Sequence, residues 1–92
     1  MIKNFKHKGL ELYFKRDARR LVNLKMLSKI ERILDRLDAA ILVEDMDLPN
    51  FGLHALKGSR KGYWSVKVSG NWRITFKFEG LHAYEVNLED YH

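Results

Sequence analysis

The feature that most constrains the fold of this chain is a change in the spacing of its apolar residues near residue 50. Before that point, apolar residues recur at helical spacing and form the stripe of one helix: Leu27, Ile30, Leu34, Leu37 and Ile41. After Pro49, apolar and polar residues alternate, which is typical of strands with one buried face. Because a helix stripe and a strand face each need a covering layer, we expect the two halves to pack on one another.

The first half is predicted to be helical. Leu10, Tyr13 and Phe14 lie at helical spacing within residues 8–17, and the stripe described above defines a second, stronger helix. Pro49 ends this helical half. Before the first helix, residues 2–5 alternate weakly, which predicts a short edge strand.

The second half is predicted to be an antiparallel meander of three strands, at residues 63–68, 72–78 and 84–88. Each strand has one apolar face, formed by Trp64, Val66 and Val68, by Trp72, Ile74, Phe76 and Phe78, and by Tyr84, Val86 and Leu88. The predicted fold class is therefore α+β, a compact domain whose N-terminal helices pack on one face of a small antiparallel β-sheet. Arg73, Lys77 and Lys67 are expected on the other face.

Length and composition exclude several classes of protein. The 92 residues fit one small domain, expected to span residues 1–92. The absence of cysteine excludes disulfides and thiolate zinc sites and fits a reducing cytoplasm. The longest apolar run, residues 39–43, is too short to cross a membrane, and no apolar signal segment occurs near Met1.

The distribution of charge points to a polyanionic partner. The formal net charge is +5, and residues 51–78 contain six basic residues and no acidic one. Residues 3–32 contain ten basic and three acidic residues, whereas residues 38–47 contain four acidic residues and no basic one. Such clustering predicts RNA or DNA as the partner, and a basic surface without a specific role is the alternative.

The candidates for proton transfer are His54 and the last three residues of the chain, Asp90, Tyr91 and His92. A predicted strand precedes the terminal tripeptide, and if it joins the sheet the tripeptide is held in place and could act as an acid/base cluster. His54 is a candidate because histidine titrates nearest to neutral pH. A strand histidine satisfied by a neighbour is the alternative interpretation.

Lys57 and Arg73 complete a set of residues suited to metal-free RNA cleavage, in which the substrate 2′-hydroxyl attacks the adjacent phosphate. Arg73 is predicted on the uncovered face, where a guanidinium can hold a phosphate through two hydrogen bonds. An ordinary surface arginine is the alternative. The sequence has no HExxH motif, glycine-rich nucleotide loop or nucleophile elbow, so we expect no metal and no cofactor.

Four ordered motifs carry a resemblance to a known family. They are Leu53-His54-x-Leu56-Lys57-Gly58, Gly62-Tyr63-Trp64-Ser65-Val66, Asn71-Trp72-Arg73-Ile74-Thr75-Phe76 and the terminal Asp90-Tyr91-His92. In this order and spacing they closely resemble the HigB branch of the RelE-like toxins, and the opening Met1-Ile2-x-x-Phe5 also fits. The match runs along nearly the full length and is strongest over residues 52–92.

The resemblance implies a bacterial, cytoplasmic type II toxin that enters the ribosomal decoding site and cuts mRNA during translation. The implied partners are ribosomal RNA, mRNA and a helix-turn-helix antitoxin, through which alone the pair contacts operator DNA. The residues that the resemblance ties to cleavage are His54, Asp90, Tyr91 and His92. Lys57 and Arg73 are the implied phosphate contacts.

Two other functions stay open from the residues alone. A basic RNA- or DNA-binding module without catalysis would bind in a salt-sensitive way and leave RNA intact. An antitoxin-like or structural partner protein is less favoured, because no segment has the pattern of a helix-turn-helix.

Overall fold

The computed structural model describes residues 1–90 and has the predicted α+β architecture. Its helices and strands are α1 (Lys8–Arg16), α2 (Leu27–Ala39), β1 (His54–Ala55), β2 (Tyr63–Ser69), β3 (Trp72–Glu79) and β4 (His82–Asp90). Within the described residues the strands form one antiparallel sheet in the order β1-β2-β3-β4, and the helices pack against it. Single turns of 3₁₀ helix lie at Val43–Met46 and Gly58–Arg60. The prediction of helices followed by a meander is confirmed.

α1 begins and ends close to the predicted residues 8–17. The backbone N–H of Leu10 donates to Nδ1 of His7 at 3.1 Å, which caps the first turn. Burial lowers the pKa of His7, which favours the neutral ring that can accept this bond. The Tyr13 hydroxyl donates to the Glu31 carboxylate at 2.7 Å and links α1 to α2, and burial together with Glu31 raises the pKa of Tyr13 to about 12.

α2 supplies the helical side of the core, because one of its faces is fully buried. Ile30, Ile33 and Leu37 have no exposed surface, and Leu34 is nearly as buried. Removing such a side chain from a packed core typically costs about 2–5 kcal/mol of folding free energy. The predicted stripe is therefore confirmed over most of its length.

α2 nevertheless ends at Ala39, so the prediction that Ile41 belongs to its buried stripe is wrong. The Asp45 carboxylate accepts the backbone N–H groups of Ile41 and Leu42 at 2.9 and 3.1 Å. These N–H groups would otherwise continue the helix, so a nearby carboxylate replaces helical hydrogen bonds with a turn. The Ile41 side chain is left 59% exposed.

The apolar face of the sheet closes the core. Val66, Ile74, Phe76 and Val86 belong to one buried cluster with the helix residues, and none of them has exposed surface. They alternate along β2, β3 and β4 with polar residues, as the sequence predicted. The opposite face of the sheet is thereby left to polar and charged side chains.

β4 contains a bulge that the alternation did not reveal. Glu85 has a positive φ of 54°, and its N–H donates to the Asn4 side chain at 2.5 Å. The bulge shifts the register, so that Tyr84 pairs with Lys77. The prediction that Tyr84 shares the apolar face of Val86 is therefore wrong.

The N-terminal segment lies along the edge of β4 that does not face β3. Its two bridges are parallel, Ile2 with Ala83 and Phe5 with Val86, so the predicted strand at residues 2–5 is reduced to isolated bridges. The N–H of Ile2 donates to Asp38 at 2.9 Å. The segment thus covers the outer edge of the sheet and ties it to α2.

Candidate active site

Four polar residues form one row across the sheet, one from each strand: His54, Ser65, Thr75 and Asn87. Cross-strand partners project from the same side of a sheet, and this row lies opposite the core. We call this side the polar face. His54, on the edge strand β1, is exposed, whereas Ser65 and Thr75 are only 3% and 1% exposed. The row thus places a solvent-accessible imidazole beside buried hydroxyl groups.

The next row of the polar face contains Lys67, Arg73 and Glu89 as cross-strand partners. Nη1 of Arg73 donates to the carbonyl oxygens of Gly70 and Trp72 at 3.1 and 3.4 Å. A guanidinium has five N–H donors, so these bonds leave donors for an anion. Arg73 lies on the face away from the core, as predicted, and therefore on the same face as His54.

Lys57 lies just beyond β1, at the start of the connection to β2. It is exposed and precedes the Gly58–Arg60 turn, whose Arg60 N–H donates to the Lys57 carbonyl at 3.3 Å. Gly58 has a φ of +67°, a conformation that a side chain would strain. Lys57 thus lies two residues after the end of β1, the edge strand that carries His54.

Asp90 is the last described residue and the last residue of β4, where it pairs with Trp72 and is exposed. Because residues alternate along a strand, Asp90 is on the same side of the sheet as Leu88 and Ile74. This is the side opposite Arg73. The structure therefore brings Asp90 next to β3 but not onto the row of His54. Tyr91 and His92 lie outside the described residues, and their assignment stays a prediction.

Three further residues are joined on the polar face, and the sequence interpretation missed them. Arg60 donates through Nη1 and Nη2 to the two carboxylate oxygens of Glu89, at 2.8 and 2.6 Å, and the Thr75 hydroxyl donates to the same carboxylate. The hydrogen bonds from Arg60, aided by Thr75, lower the pKa of Glu89. Because Glu89 precedes Asp90, this network fixes the end of β4. The parity of Glu89 was the only signal of this role in the sequence.

The family assignment rests on the whole chain. A family model for HigB-like toxins, described as the RelE-like toxin of the type II toxin–antitoxin system HigB, matches residues 3–92. This chain belongs to the HigB-like toxin family. The resemblance seen in the four sequence motifs is thereby confirmed, and the two helices packed on a four-stranded antiparallel sheet are consistent with the RelE-like fold.

Two curated relatives of this HigB-like toxin are similar over most of their length. Endoribonuclease HigB of Proteus vulgaris is 45% identical over 92 residues, which is all of both chains. Toxin HigB-1 of Vibrio cholerae serotype O1 is 32% identical over 80 residues, which covers 85% of this chain and 84% of the relative. The similarity thus spans both the helical half and the sheet that carries the candidate site.

The polar face of this HigB-like toxin has the chemistry of an anion site. Arg73 and Lys67 can hold a phosphate, and His54 can exchange a proton with it or with water. Within residues 1–90, no three His, Asp or Glu side chains come together in a geometry that would hold a metal ion. In the same range, both helices fall short of the length and apolar character that a bilayer span requires.

Proposed function

We propose that this HigB-like toxin is an endoribonuclease that cuts mRNA on the translating ribosome without a catalytic metal, and that residues 1–92 form one toxin domain. The proposal is carried by one observation: His54 and Arg73 lie on the same face of the sheet. That face therefore combines a side chain suited to proton transfer with a cation suited to binding phosphate. The name and full-length similarity of the Proteus vulgaris relative support ribonuclease activity.

The proposed reaction breaks one P–O bond and forms another. The substrate 2′-oxygen attacks the adjacent phosphorus, the bond to the 5′-oxygen of the next nucleotide breaks, and the products are a 2′,3′-cyclic phosphate and a 5′-hydroxyl. One group accepts the 2′-hydroxyl proton, and another gives a proton to the leaving 5′-oxygen. The groups proposed for these two transfers are His54, Asp90, Tyr91 and His92, with the roles of acid and base left open among them.

Lys57 and Arg73 are proposed to hold the phosphate as negative charge builds on it. A guanidinium donates in a fixed fork that matches phosphate oxygens, and Arg73 retains donors beyond its two bonds to backbone carbonyls. Lys57 is exposed beside β1, where it can reach an anion near His54. Donors already aimed at the site lower the barrier because they need little reorganisation during the reaction.

The proposed partners follow from membership of a toxin–antitoxin family. The toxin would meet decoding-site ribosomal RNA and mRNA, and it would be neutralised by a cognate helix-turn-helix antitoxin in the bacterial cytoplasm. Operator DNA would be contacted only through that antitoxin. A neighbouring gene that encodes a short helix-turn-helix protein would support this assignment.

The first test compares the proposed site with a histidine elsewhere in the chain. His54→Ala and His92→Ala are expected to lower the rate of mRNA cutting by translating ribosomes by roughly 10²–10⁴-fold, the usual contribution of general acid–base catalysis. His82→Ala is the matched control, because His82 lies at the β3–β4 turn, opposite Glu79. Growth arrest on expression of the toxin alone should follow the same order.

Primer extension on reporter mRNA measures the cutting, with ribosomal magnesium held constant while a chelator selective for transition metals is added. Folded His54→Ala and His92→Ala proteins that cut at the wild-type rate would contradict the assigned roles. Intact mRNA with the wild-type protein bound to ribosomes would instead favour a non-catalytic RNA-binding module. Loss of cutting in the chelator would remove the metal-free mechanism.

A further inference from the structure

Four cations near α2, β2 and β3 form no ion pair with a carboxylate among residues 1–90: Lys29, Arg32, Lys67 and Arg73. Several further cations also form none, whereas six do, in the pairs Lys6–Glu85, Lys8–Glu11, Lys15–Glu11, Arg19–Asp17, Arg60–Glu89 and Lys77–Glu79. An isolated exposed cation without a partner is ordinary. A group of cations close enough to act on one another raises local potential and is expected where an anion binds.

Three of these cations line one groove, which we call the α2–β2 groove; its residues are Lys29, Arg32, Asn50, Gly52 and Lys67. α2 supplies two cations from one side, and β2 supplies Lys67 from the other. Between them runs the segment at residues 50–52, whose Phe51 carbonyl accepts the N–H of Lys67 at 2.6 Å. The groove is thus built from three parts of the chain that the fold brings together.

The cations from α2 are held in place by their surroundings. Nζ of Lys29 donates to the Asn50 carbonyl at 2.6 Å and lies 5.9 Å from the centre of the Phe51 ring, and the Arg32 guanidinium lies 5.7 Å from the same ring. Phe51 itself is fully buried. Side chains that are already ordered lose less conformational entropy when a ligand binds.

The charges of the groove repel one another. Burial lowers the pKa of Lys29, and the positive charges of Arg32, Lys67 and Arg73 lower it further. Each of these effects disfavours the charged form of Lys29. A polyanion would offset this repulsion, so the groove favours a ligand with several negative charges along its length.

We propose that the α2–β2 groove binds backbone phosphates of the RNA strand that the toxin cuts, beside the reacting phosphate. This inference rests on the proposed function, because Lys67 is the cross-strand partner of Arg73 and the groove therefore opens onto the proposed phosphate contact. Cations and a backbone carbonyl line it, with no carboxylate among its residues. Such a lining positions a strand through its phosphates and leaves the choice of base to other contacts.

The test neutralises the groove and leaves Arg73 unchanged. Binding of a 2′-O-methyl RNA strand, which cannot undergo 2′-oxygen attack, is measured by fluorescence anisotropy at several salt concentrations. Affinity falls as salt rises, and the plot of log affinity against log salt has a negative slope. For K29Q/R32Q/K67Q, the magnitude of this slope is expected to decrease by about 2, at about 0.7 for each lost phosphate contact on a single strand. The charge-preserving variant K29R/R32K/K67R should regain most of this slope.

The matched control is K6Q/K8Q/K15Q, which removes the same formal charge from cations that pair with Glu85 or Glu11. It should keep the wild-type slope. Thermal unfolding checks that both triple variants fold, and the single change Lys67→Gln, expected to lower the slope by about 0.7, carries the test if the triple variant does not. Equal slopes for groove and control variants would overturn the proposal.

Ribosomes that lack mRNA separate the two possible sources of RNA phosphate. Wild-type and groove-variant proteins should bind them with equal affinity if the groove holds the substrate strand. A loss of affinity confined to these ribosomes would assign the groove to ribosomal RNA and overturn the proposal. Because the RNA probe cannot be cut, its binding is measured whether or not the wild-type protein cuts mRNA, so a failure of the proposed function is seen separately.

Discussion

Arg60 and Arg73 are two arginines on the same face of one sheet, but their guanidinium groups have different hydrogen-bond partners. Glu89 is the cross-strand partner of Arg73, yet its carboxylate is bonded to Arg60 and Thr75. Among residues 1–90, Arg73 donates only to the backbone carbonyls of Gly70 and Trp72. Arg60 is thus neutralised by its own protein, whereas the charge of Arg73 stays available to an external anion.

The difference separates a cation that supports the site from one that is placed to act in it. Arg60 reaches from the connection after β1 to the end of β4, so its bonds to Glu89 hold together the two edges that carry Lys57 and Asp90. The same bonds keep Glu89 from pairing with Arg73. One carboxylate therefore both stabilises the end of the sheet and preserves the positive charge of the neighbouring row.

The largest effect expected from this comparison is on stability, when Glu89 is removed. Glu89→Ala leaves the Arg60 guanidinium, 34% exposed, and the buried Thr75 hydroxyl without their shared acceptor. We expect a loss of about 2–3 kcal/mol in the free energy of unfolding, between the values typical of surface and buried ion pairs. Urea unfolding followed by tryptophan fluorescence measures it.

The double variant Arg60→Met/Glu89→Leu is the control for that measurement. If Glu89→Ala lowers the free energy of unfolding because the Arg60 guanidinium loses its carboxylate partner Glu89, removing both charges should restore much of the stability. A Glu89→Ala protein as stable as the wild type would mean that Arg60 is not anchored by Glu89, and the contrast with Arg73 would fail.

An intermediate effect is expected on the pH dependence of stability. Arg60, followed by Thr75, lowers the pKa of Glu89 below its ordinary value of 4.5, so the unfolded chain binds this proton more readily than the folded chain. The contribution of Glu89 is therefore fully present above that ordinary value and is lost as pH falls through the folded pKa. Urea midpoints from neutral to acidic pH measure it.

Glu89→Gln separates the pH-dependent stability due to Glu89 from that due to His7. Burial lowers the pKa of His7, so this histidine also reduces stability as pH falls below its ordinary pKa of 6.5. The Gln variant should start with lower stability at neutral pH and lose less of it in the acidic range below 4.5. Parallel curves for the wild type and the variant would show that the carboxylate of Glu89 is not stabilised in the folded state.

The elements of the fold could be predicted because local spacing determines them. The helices α1 and α2, the strands β2 and β3 and the turns between strands follow from residues a few positions apart. The errors arose where a distant or competing polar group intervened. Asn4 meets the bulge at Glu85 from the other end of the chain, and Asp45 intercepts the N–H groups that would have extended α2.

The candidate site was predictable in part for the same reason. Alternation along β3 was enough to place Arg73 on the polar face, whereas the role of Lys57, two residues after β1, stays a prediction. Arg60 and Glu89 are 29 residues apart in the chain and meet only in the folded sheet, so the parity of Glu89 was the only local sign of their bond. The α2–β2 groove likewise combines a helix with a strand, and neither segment alone has its charge density.

The smallest effect is expected when a groove cation is neutralised. Lys67→Gln removes a repulsive charge and breaks no ion pair with a residue that the structure describes, so the free energy of unfolding should change by less than about 0.5 kcal/mol, upward at low salt. Lys77→Gln is the matched control on the neighbouring strand β3, because it removes the ion pair with Glu79 and should shift stability the other way. Added salt should shrink both changes, since it screens repulsion and attraction alike. If Lys67→Gln weakened the fold more than Lys77→Gln, the groove cations would be structural like Arg60, and the distinction between supporting and binding cations would no longer hold.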